Sequence, residues 1–507
     1  MKKLLLATLM LLVAFTSPEK IHLLYTTLNP DSISSHLAFY KLFPDSTDGK
    51  KALADAWKLL AKERASGSLP ITLLSDHSIS SVVTLITKAE GVEALELNPQ
   101  ELALIQSITD KLPNKTLKSS TSKSEEELLK LPSEEIDLSR ALLLAQAADS
   151  PSLAGKIDTY EAVIDLMALQ ILARVPMTAT PEQKIREINR FIFEEMGYRF
   201  PPHSVFVKNV DRYTYLPSVI DSRRGVCLGV SILYLSLAQR LNLPLEAITP
   251  PGHIYVRYKD EDKTINIETT ARGIHIETEE YMGIEMRPFE PRTTKEVVGM
   301  AYVNEASVHW QNEQYKEALR CYNKALPYLE DDLMVKEFMG YNLLFSDQQQ
   351  EAKQLLKEIY DQVKDKDDLA YAEIIEDYLA GKADKEAIKA AFLHVEQDRA
   401  SLELKKERLE KALILYPKFR SGYFFLAVTW LQLDRYKEAL ALLEKYIDLA
   451  PQDQNAHYFL SQLYAMRSNY VKSWEHLHLA EALQKPDRKP SKTLKNLRKE
   501  LAQRSPE

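Results

Sequence analysis

The chain has 507 residues, of which 45% are hydrophobic and 27% charged, and its formal net charge is −8. This length suits about three domains of ~150 residues each, and the balance of apolar and charged residues is typical of a soluble globular protein. A dedicated nucleic-acid binder would normally present a basic face, so the mild acidity argues against a nucleic-acid partner. Glycine is scarce, at 14 residues, which favours helix.

The first twenty residues are typical of a secretory signal. Lys2 and Lys3 precede an apolar run from Leu4 to Phe15, and small residues follow it, a pattern that predicts export. This run is shorter than the ~20 residues that span a bilayer. We expect residues 1–20 to be a signal peptide, with the bacterial periplasm or the medium as location. The alternative is an uncleaved N-terminal anchor in the inner membrane, which would be the only membrane contact.

Residues 21–125 are predicted to form a helical N-terminal region that ends in a polar linker. Helical patches lie at Lys51–Arg64 and Pro99–Leu112, whereas Asn114–Glu126 is rich in Ser, Thr and Lys and indicates a solvated linker. From residue 126 to residue 294 the pattern changes to mixed helix and strand, and we expect a separate α+β domain there.

A helix start within this second region is marked by a capping pattern. Thr180 can cap the chain, Pro181 suits the first helical position, and Gln183 can complete a capping box. Ile188 and Ile192 then recur at helical spacing. We expect this helix to serve packing only.

Cys227 stands at the start of a strongly apolar run, Cys227–Leu241, which predicts a buried helix. The unpaired N–H groups and the dipole of a helix N-terminus favour negative charge, and therefore favour the thiolate form of a cysteine placed there. The thiolate is the nucleophilic form. Gly225 lets the backbone turn sharply into the helix, and a main-chain N–H at the helix start can donate to a developing oxyanion.

Two strands, His253–Tyr258 and Thr264–Thr270, are predicted to form the next hairpin. With the turn centred on residues 260–261, His253 faces Glu268 across the ladder. Strand alternation then places five side chains on one face, namely His253, Tyr255, Arg257, Asn266 and Glu268, opposite an apolar face. A carboxylate beside an imidazole fixes the tautomer and stabilises the imidazolium.

Cys227, His253 and Glu268 therefore form a predicted catalytic triad. Cys227 would attack an amide or ester carbonyl, and His253 would take the thiol proton and later protonate the leaving group. Water as acceptor gives hydrolysis or deamidation, and an amine gives cross-linking; the sequence leaves these open. The plainer interpretation makes Cys227 a buried small hydrophobe and Glu268 a surface strand residue.

No cofactor and no metal are expected from the sequence. His253 and His275 are too sparse to suggest a metal site, and neither an HExxH run nor paired cysteines occur. Side-chain donors to an oxyanion could come from the loop before the nucleophile, where Asn209, Tyr213 and Tyr215 are the candidates.

Three stretches, taken in order, resemble the transglutaminase-like branch of the papain-related superfamily, especially its bacterial SirB-type subgroup. They are FIFEEMGYRF, YLPSVIDSRRGVCLGVSILYLSLAQRLNLPLEAITPPGHIYVRY and INIETTARG, within residues 130–290. The resemblance implies a papain-like α+β fold whose catalytic Cys, His and Asp or Asn fall on Cys227, His253 and Glu268. Glu is one methylene longer than the usual Asp. Many SirB-type members lack the cysteine, so the resemblance also implies a non-catalytic alternative.

Residues 295–484 are self-similar at a period of 34 residues. The run YKEAL begins at both Tyr315 and Tyr436, and Ala318 and Ala352 are separated by one period. The pattern resembles tetratricopeptide repeats, with an irregular middle around residues 365–407. It implies an all-α solenoid that binds a protein or peptide, or an array that only packs on the enzyme domain.

The remaining residues complete the expected organisation. Residues 485–507 form a basic tail, predicted to be a solvated helix or, alternatively, a contact to an acidic partner or membrane surface. Cys321 is expected in the core of the first repeat, and no Cys227–Cys321 disulfide is expected because the two lie in different domains. The sequence thus predicts thiol-dependent processing of a protein or peptide that the repeats select. The alternative is a non-catalytic transglutaminase-like and tetratricopeptide-repeat scaffold.

Overall fold

The computed structural model describes residues 17–60, 76–94, 96–148, 150–202, 213–282, 289–364, 369–395, 398–484 and 491–507. The predicted signal lies largely outside them, as does Asn209. The chain divides into two compact units, a first of residues 1–276 with 291–301 and a second of residues 277–290 with 302–507. Among the described residues, none of the helices combines the length and apolar character that crossing a bilayer requires.

The first unit is mainly helical, and its middle helix is buried on nearly every side. Its helices are α1 (Pro18–Thr26), α2 (Ile33–Leu42), α3 (Thr47–Leu60), α4 (Asp76–Ile86), α5 (Pro99–Thr109), α6 (Glu125–Leu129), α7 (Leu138–Ala147), α8 (Pro151–Ala154), α9 (Ile157–Leu172), α10 (Pro181–Asn189), α11 (Leu216–Ser222) and α12 (Cys227–Arg240). α9 packs against α5, α7 and α12 and forms the centre of the core.

α10 begins as the sequence predicts. The Thr180 hydroxyl accepts from the Gln183 N–H, and the Gln183 side chain accepts from the Thr180 N–H at 2.8 Å, which completes the capping box. Ile188 and Ile192 are fully buried. The last turn, Arg190–Glu195, widens into a π-helix, and Gly197 follows with φ +70°.

A four-stranded antiparallel sheet accompanies the helices, with strand order β3-β2-β1-β4. The strands are β1 (Glu246–Ile248), β2 (Tyr255–Lys259), β3 (Thr264–Ile267) and β4 (Pro291–Arg292). α12 packs against β2. The first unit is therefore an α+β fold, as expected.

The register of the β2–β3 hairpin differs from the predicted one by two residues. Val256 pairs with Ile267 and Arg257 with Asn266, because Asp260 closes the turn: its carboxylate accepts from the Lys263 N–H at 2.8 Å. A slip of two residues keeps every side chain on its predicted face, since faces alternate with a period of two. The face that carries His253 and Glu268 is not fully exposed to solvent, however, because Tyr255 and Asn266 on it are buried.

The predicted polar linker is packed into the first unit, so the linker prediction is wrong. The Asn114 amide donates to the Asp137 carboxylate at 2.8 Å, and the Ser119 hydroxyl accepts from the Asp137 N–H at 2.6 Å. The Ser122 carbonyl accepts from Arg140 at 2.8 Å. The polar composition of this segment predicts that its polar groups hydrogen-bond with water. In the structure, polar groups elsewhere in the chain are their hydrogen-bond partners instead.

The second unit is all-helical among its described residues. Its helices are α13 (Thr278–Tyr281), α14 (Thr294–Gln311, from Tyr302 onward), α15 (Tyr315–Ala325), α16 (Leu333–Phe345), α17 (Gln349–Val363), α18 (Leu369–Leu379), α19 (Lys385–Phe392), α20 (Arg399–Leu415), α21 (Arg420–Gln432), α22 (Tyr436–Leu449), α23 (Gln454–Met466), α24 (Tyr470–Ala482) and α25 (Lys492–Arg504). α16 packs with α17, α21 with α22, and α23 with α24.

These pairs are tetratricopeptide-like, and their small residues explain the 34-residue pattern. Ala318, Ala352 and Ala439 are fully buried. A Cβ at Gly340 would lie 2.6 Å from Leu356 Cδ2, so α16 and α17 approach more closely there than a larger residue allows. Among the described residues of the middle of the array, where the sequence pattern is weakest, α18, α19 and the start of α20 continue the helical structure.

The basic tail is not a solvated helix. α25 buries Leu494, Leu497 and Leu501 in a cluster that includes Trp474 and Leu477. The three leucines follow helical spacing and form an apolar stripe on an otherwise charged segment. The tail prediction is wrong because net charge masks this stripe, and α25 covers the last helix pair.

Candidate active site

Cys227 is the first residue of α12, as the sequence predicts, and it is partly exposed. Val226 before it is extended, with φ −72° and ψ 175°, and its apolar side chain offers no group that could cap the helix. The first N–H groups of α12 therefore lie beside the thiol and receive no capping hydrogen bond from the Val226 side chain. Such a helix end favours negative charge.

Close main-chain packing fixes the start of α12. The Val226 N–H donates to the Tyr213 carbonyl at 3.0 Å. A Cβ at Gly225 would lie 2.8 Å from Val230 Cγ2, and a Cβ at Gly229 would lie 2.2 Å from the Tyr213 carbonyl oxygen. Glycine at these two positions lets the preceding segment lie directly against the helix that carries Cys227.

His253 and Glu268 lie side by side at the open end of the hairpin. His253 precedes β2 and Glu268 follows β3, and His253 Nε2 lies 2.7 Å from Glu268 Oε2. The Glu268 side chain is 5% exposed and that of His253 is 27% exposed. The carboxylate is therefore sheltered from water while the ring keeps access to solvent, and the longer Glu side chain reaches the imidazole.

Thr270 holds the Glu268 carboxylate in one orientation. Glu268 Oε1 accepts from the Thr270 N–H at 3.0 Å and from the Thr270 hydroxyl at 2.5 Å. The next residue back, Thr269, hydrogen-bonds with Ser231 of α12 at 2.9 Å. The acid is thereby tied to the helix that carries the thiol.

Sequence reasoning missed this supporting pair. The signal for Thr270 is its place two residues after an acid, where the Glu side chain can cap the short 3-10 helix Thr269–Ala271. The signal for Ser231 is a polar residue one turn after Cys227 in an otherwise apolar helix.

The thiol, the imidazole and the carboxylate form one connected group, because the Cys227 side chain hydrogen-bonds with His253. Nε2 faces Glu268, so Nδ1 is the ring nitrogen left for the sulfur. Burial alone would lower the pKa of His253. Hydrogen bonds to Cys227 and Glu268, with the negative charge on both, outweigh burial and raise the pKa from 6.5 to about 9.

Such an imidazole carries a proton at neutral pH, between a carboxylate and a sulfur. In this state it can pair with a thiolate and later deliver the proton to a leaving group. The three predicted residues thus meet in space, while their catalytic role stays a prediction. Tyr213 reaches the helix start through its main chain, and oxyanion roles for Tyr213 and Tyr215 also stay predictions.

Residues 158–306, which include all three side chains, match the family model of the transglutaminase-like superfamily. UPF0162 proteins of two Xylella fastidiosa strains are each 25% identical over 143 residues, covering 28% of this chain and 49% of theirs. A UPF0162 protein of Pasteurella multocida is 29% identical over 87 residues, covering 17% of this chain and 32% of that protein. The chain thus spans less than half the length of these curated relatives.

Two solved structures overlap part of the chain. MamA of Desulfovibrio magneticus RS-1 is 16% identical, covers 36% of this chain and 94% of its own, and has a TM-score of 0.19. PilF of Pseudomonas aeruginosa is 15% identical, covers 41% of this chain and 85% of its own, and has a TM-score of 0.21. At such TM-scores neither bears on function. Residues 158–306, in which Cys227, His253 and Glu268 are joined, form a transglutaminase-like domain.

Proposed function

We propose that the protein is a cysteine-dependent acyl transferase or hydrolase that acts on a protein or peptide. The observation that carries the proposal is the connected triad. The His253 ring lies 2.7 Å from the Glu268 carboxylate and hydrogen-bonds with Cys227 at the start of α12. The basic start and apolar run of residues 2–15 support a location outside the cytoplasm, in the periplasm or the medium.

The reaction follows from the positions of these groups. The Cys227 sulfur attacks an amide or ester carbonyl and forms a C–S bond, and N–H groups at the start of α12 stabilise the oxyanion. Collapse of the intermediate breaks the bond to the leaving group, which takes its proton from His253, and a thioester remains. His253 then accepts a proton from water or an amine, which attacks the thioester and regenerates the sulfur anion.

A trapped acyl-enzyme tests this proposal. We expect the full-length protein, incubated with a peptide ester, to gain one acyl group on Cys227 that hydroxylamine removes, as read by peptide mass spectrometry. Cys227→Ser and His253→Ala should lose at least about 10³-fold in acylation rate. His22→Ala on α1 is the matched control, because His22 is exposed and pairs only weakly with Asp48 at the surface. Equal acylation of His253→Ala and His22→Ala would contradict the triad.

We further infer that the repeats hold the target. A cavity of about 240 Å³ in the second unit is lined by aromatic and cationic side chains, including Trp310, Tyr315, Phe345, Phe392, Lys389 and Arg408. Lys389 Nζ lies 5.0 Å from the Tyr315 ring centroid and 5.4 Å from that of Phe345, so this cation is held against the aromatic wall. The lining suits a peptide segment with an acidic residue beside an apolar one.

Two acidic residues, Glu313 and Asp398, are among the residues that line the cavity. The Asp398 carboxylate accepts from the Ser401 N–H at 2.7 Å and caps α20. Its charge is thus partly offset within the protein. Lys389 lies 4.0 Å from Glu386, and Arg408 is the other cation of the lining.

Charge reversal in this cavity should weaken target binding. We expect Arg408→Glu to reduce the affinity of the full-length protein for acidic-apolar peptides about tenfold, measured by fluorescence anisotropy. Lys411→Glu on the same helix is the control, because Lys411 is 70% exposed and pairs with Glu407. If both variants bind the peptides alike, or if basic peptides bind best, the cavity is not the target site.

A further inference from the structure

Three side chains with metal-ligand chemistry meet at the first helix pair of the second unit. Glu305 and His309 lie four residues apart on α14, a spacing that puts them on one helix face, and Cys321 lies on α15. One ligand atom from each lies within 4.8 Å of the others. No other group of the described residues has this composition and spacing.

His309 is oriented by a partner on its far side. The Gln314 side-chain oxygen accepts from His309 Nδ1 at 2.7 Å, which leaves Nε2 as the nitrogen with a free lone pair. The Gln314 N–H also donates to the His309 carbonyl at 2.8 Å. Outer partners of this kind fix the tautomer and ring direction of metal-binding histidines.

Cys321 has a buried sulfur with an acid beside it. The residue is 2% exposed, and its thiol hydrogen-bonds with Glu305. A divalent cation bound by the sulfur would take the place of the thiol proton, which leaves to solvent.

We propose that Glu305, His309 and Cys321 bind one divalent cation of the zinc class and so link α14 to α15. Sulfur, nitrogen and oxygen donors in one set favour zinc over magnesium or calcium. Donors at about 2.0–2.3 Å from a tetrahedral ion lie about 3.3–3.8 Å apart, so the side chains need to close by only about 1 Å. Water would complete four-coordination. This site is independent of the proposed acyl transfer.

Cobalt is the probe, because a four-coordinate Co²⁺ ion with a thiolate ligand shows both visible bands and a near-ultraviolet sulfur-to-metal band. We expect the chelator-treated full-length protein to develop these bands with one equivalent of Co²⁺ and to lose them when Zn²⁺ is added. Cys321→Ser should lose the sulfur band. Gln314→Ala should weaken Co²⁺ binding about tenfold to a hundredfold.

Cys227→Ser is the decisive control, since Cys227, His253 and Glu268 also offer sulfur, nitrogen and oxygen. The sulfur band must persist in Cys227→Ser; its loss there, with retention in Cys321→Ser, overturns the proposal. Absence of the band in the wild-type protein overturns it too. Glu305→Gln and His309→Asn, at partly exposed positions, decide the question if Cys321→Ser does not fold: both should bind Co²⁺ at least about tenfold more weakly.

Discussion

Replacing His253 with alanine is expected to slow alkylation of Cys227 about tenfold at pH 7 and about a hundredfold at pH 6. An ordinary cysteine is only a few per cent thiolate at pH 7 and loses a further factor of ten per pH unit below that. His253 is protonated beside the sulfur because Glu268 and Cys227 raise its pKa to about 9, so the ring supplies a positive partner that alanine removes. Without the ring, the sulfur keeps only the helix N-terminus as a stabilising partner.

The direction in which alkylation of Cys227 depends on pH follows from the raised pKa of His253. A raised pKa means that the imidazolium is present below about pH 9 and is lost as the pH rises through that value. We therefore expect the ratio of the wild-type alkylation rate to that of His253→Ala to fall as the pH rises toward 9. The two curves should converge above about pH 9, where the ring is neutral and any thiol ionises unaided.

Iodoacetamide labelling followed by peptide mass spectrometry measures both rates in one chain. Cys321 serves as the internal reference, because it is buried and should label slowly in every variant. Glu268→Gln, which keeps the side-chain length but removes the charge, should fall between the wild type and His253→Ala. Parallel profiles for wild type and His253→Ala would mean that no thiolate–imidazolium pair exists.

The parts of the site that sequence could predict are those with local causes. The capping box at Thr180 and the helix start at Cys227 each depend on a few consecutive residues, and both are found as predicted. The shared face of His253 and Glu268 also follows from alternation alone. This prediction remains correct despite the error in register, because a slip of two residues leaves each side chain on the same face of the strand.

The parts that sequence missed depend on partners distant in the chain. The turn register is decided by the Asp260 carboxylate, which accepts from the Lys263 N–H, rather than by the pattern of the strands. The composition of the polar segment around Ser119 predicts a solvated linker, whereas in the structure the Ser119 hydroxyl accepts from the Asp137 N–H. Likewise no metal site is expected from the sequence, because Cys321 joins Glu305 and His309 only when two helices pack.

The sequence pattern also does not reveal the buried network of charged side chains at the C-terminal end of α12. Arg240, at the end of α12 opposite Cys227, is 0% exposed. Its guanidinium donates to Asp165 at 2.6 Å, to Asp137 at 3.4 Å and to Ser139 at 3.1 Å. The helix that positions the thiol is therefore held at its far end by ion pairs shielded from water.

Arg240→Met is expected to destabilise the first unit by about 3–5 kcal/mol at pH 7. Methionine fills similar space, but Asp137 would be left buried without its ion-pair partner, while Asp165 would keep only Lys115, at 2.5 Å. Removing one partner of a buried ion pair costs this much. Hydrogen exchange of α12 amides, followed against urea concentration, reports the opening free energy of this unit separately from that of the repeats. Arg190→Met is the matched control, because Arg190 is 52% exposed and its ion pair with Glu195, at 3.5 Å, is a surface one; it should cost about 1 kcal/mol or less.

We expect the difference in the free energy of unfolding between Arg240→Met and the wild type to be smaller at pH 4 than at pH 7. Burial raises the pKa of Asp137, but the Arg240 charge and hydrogen bonds from Ser139 and Asn114 lower it to about 2. In the wild type this carboxylate stabilises the fold above its unfolded value of about 4, and that stabilisation is lost as the pH falls toward 2. Without Arg240 the pKa of Asp137 rises, so protonation near pH 4 relieves the variant instead. An unchanged gap between pH 7 and pH 4 would show that the cost of Arg240→Met is lost packing and not unpaired charge.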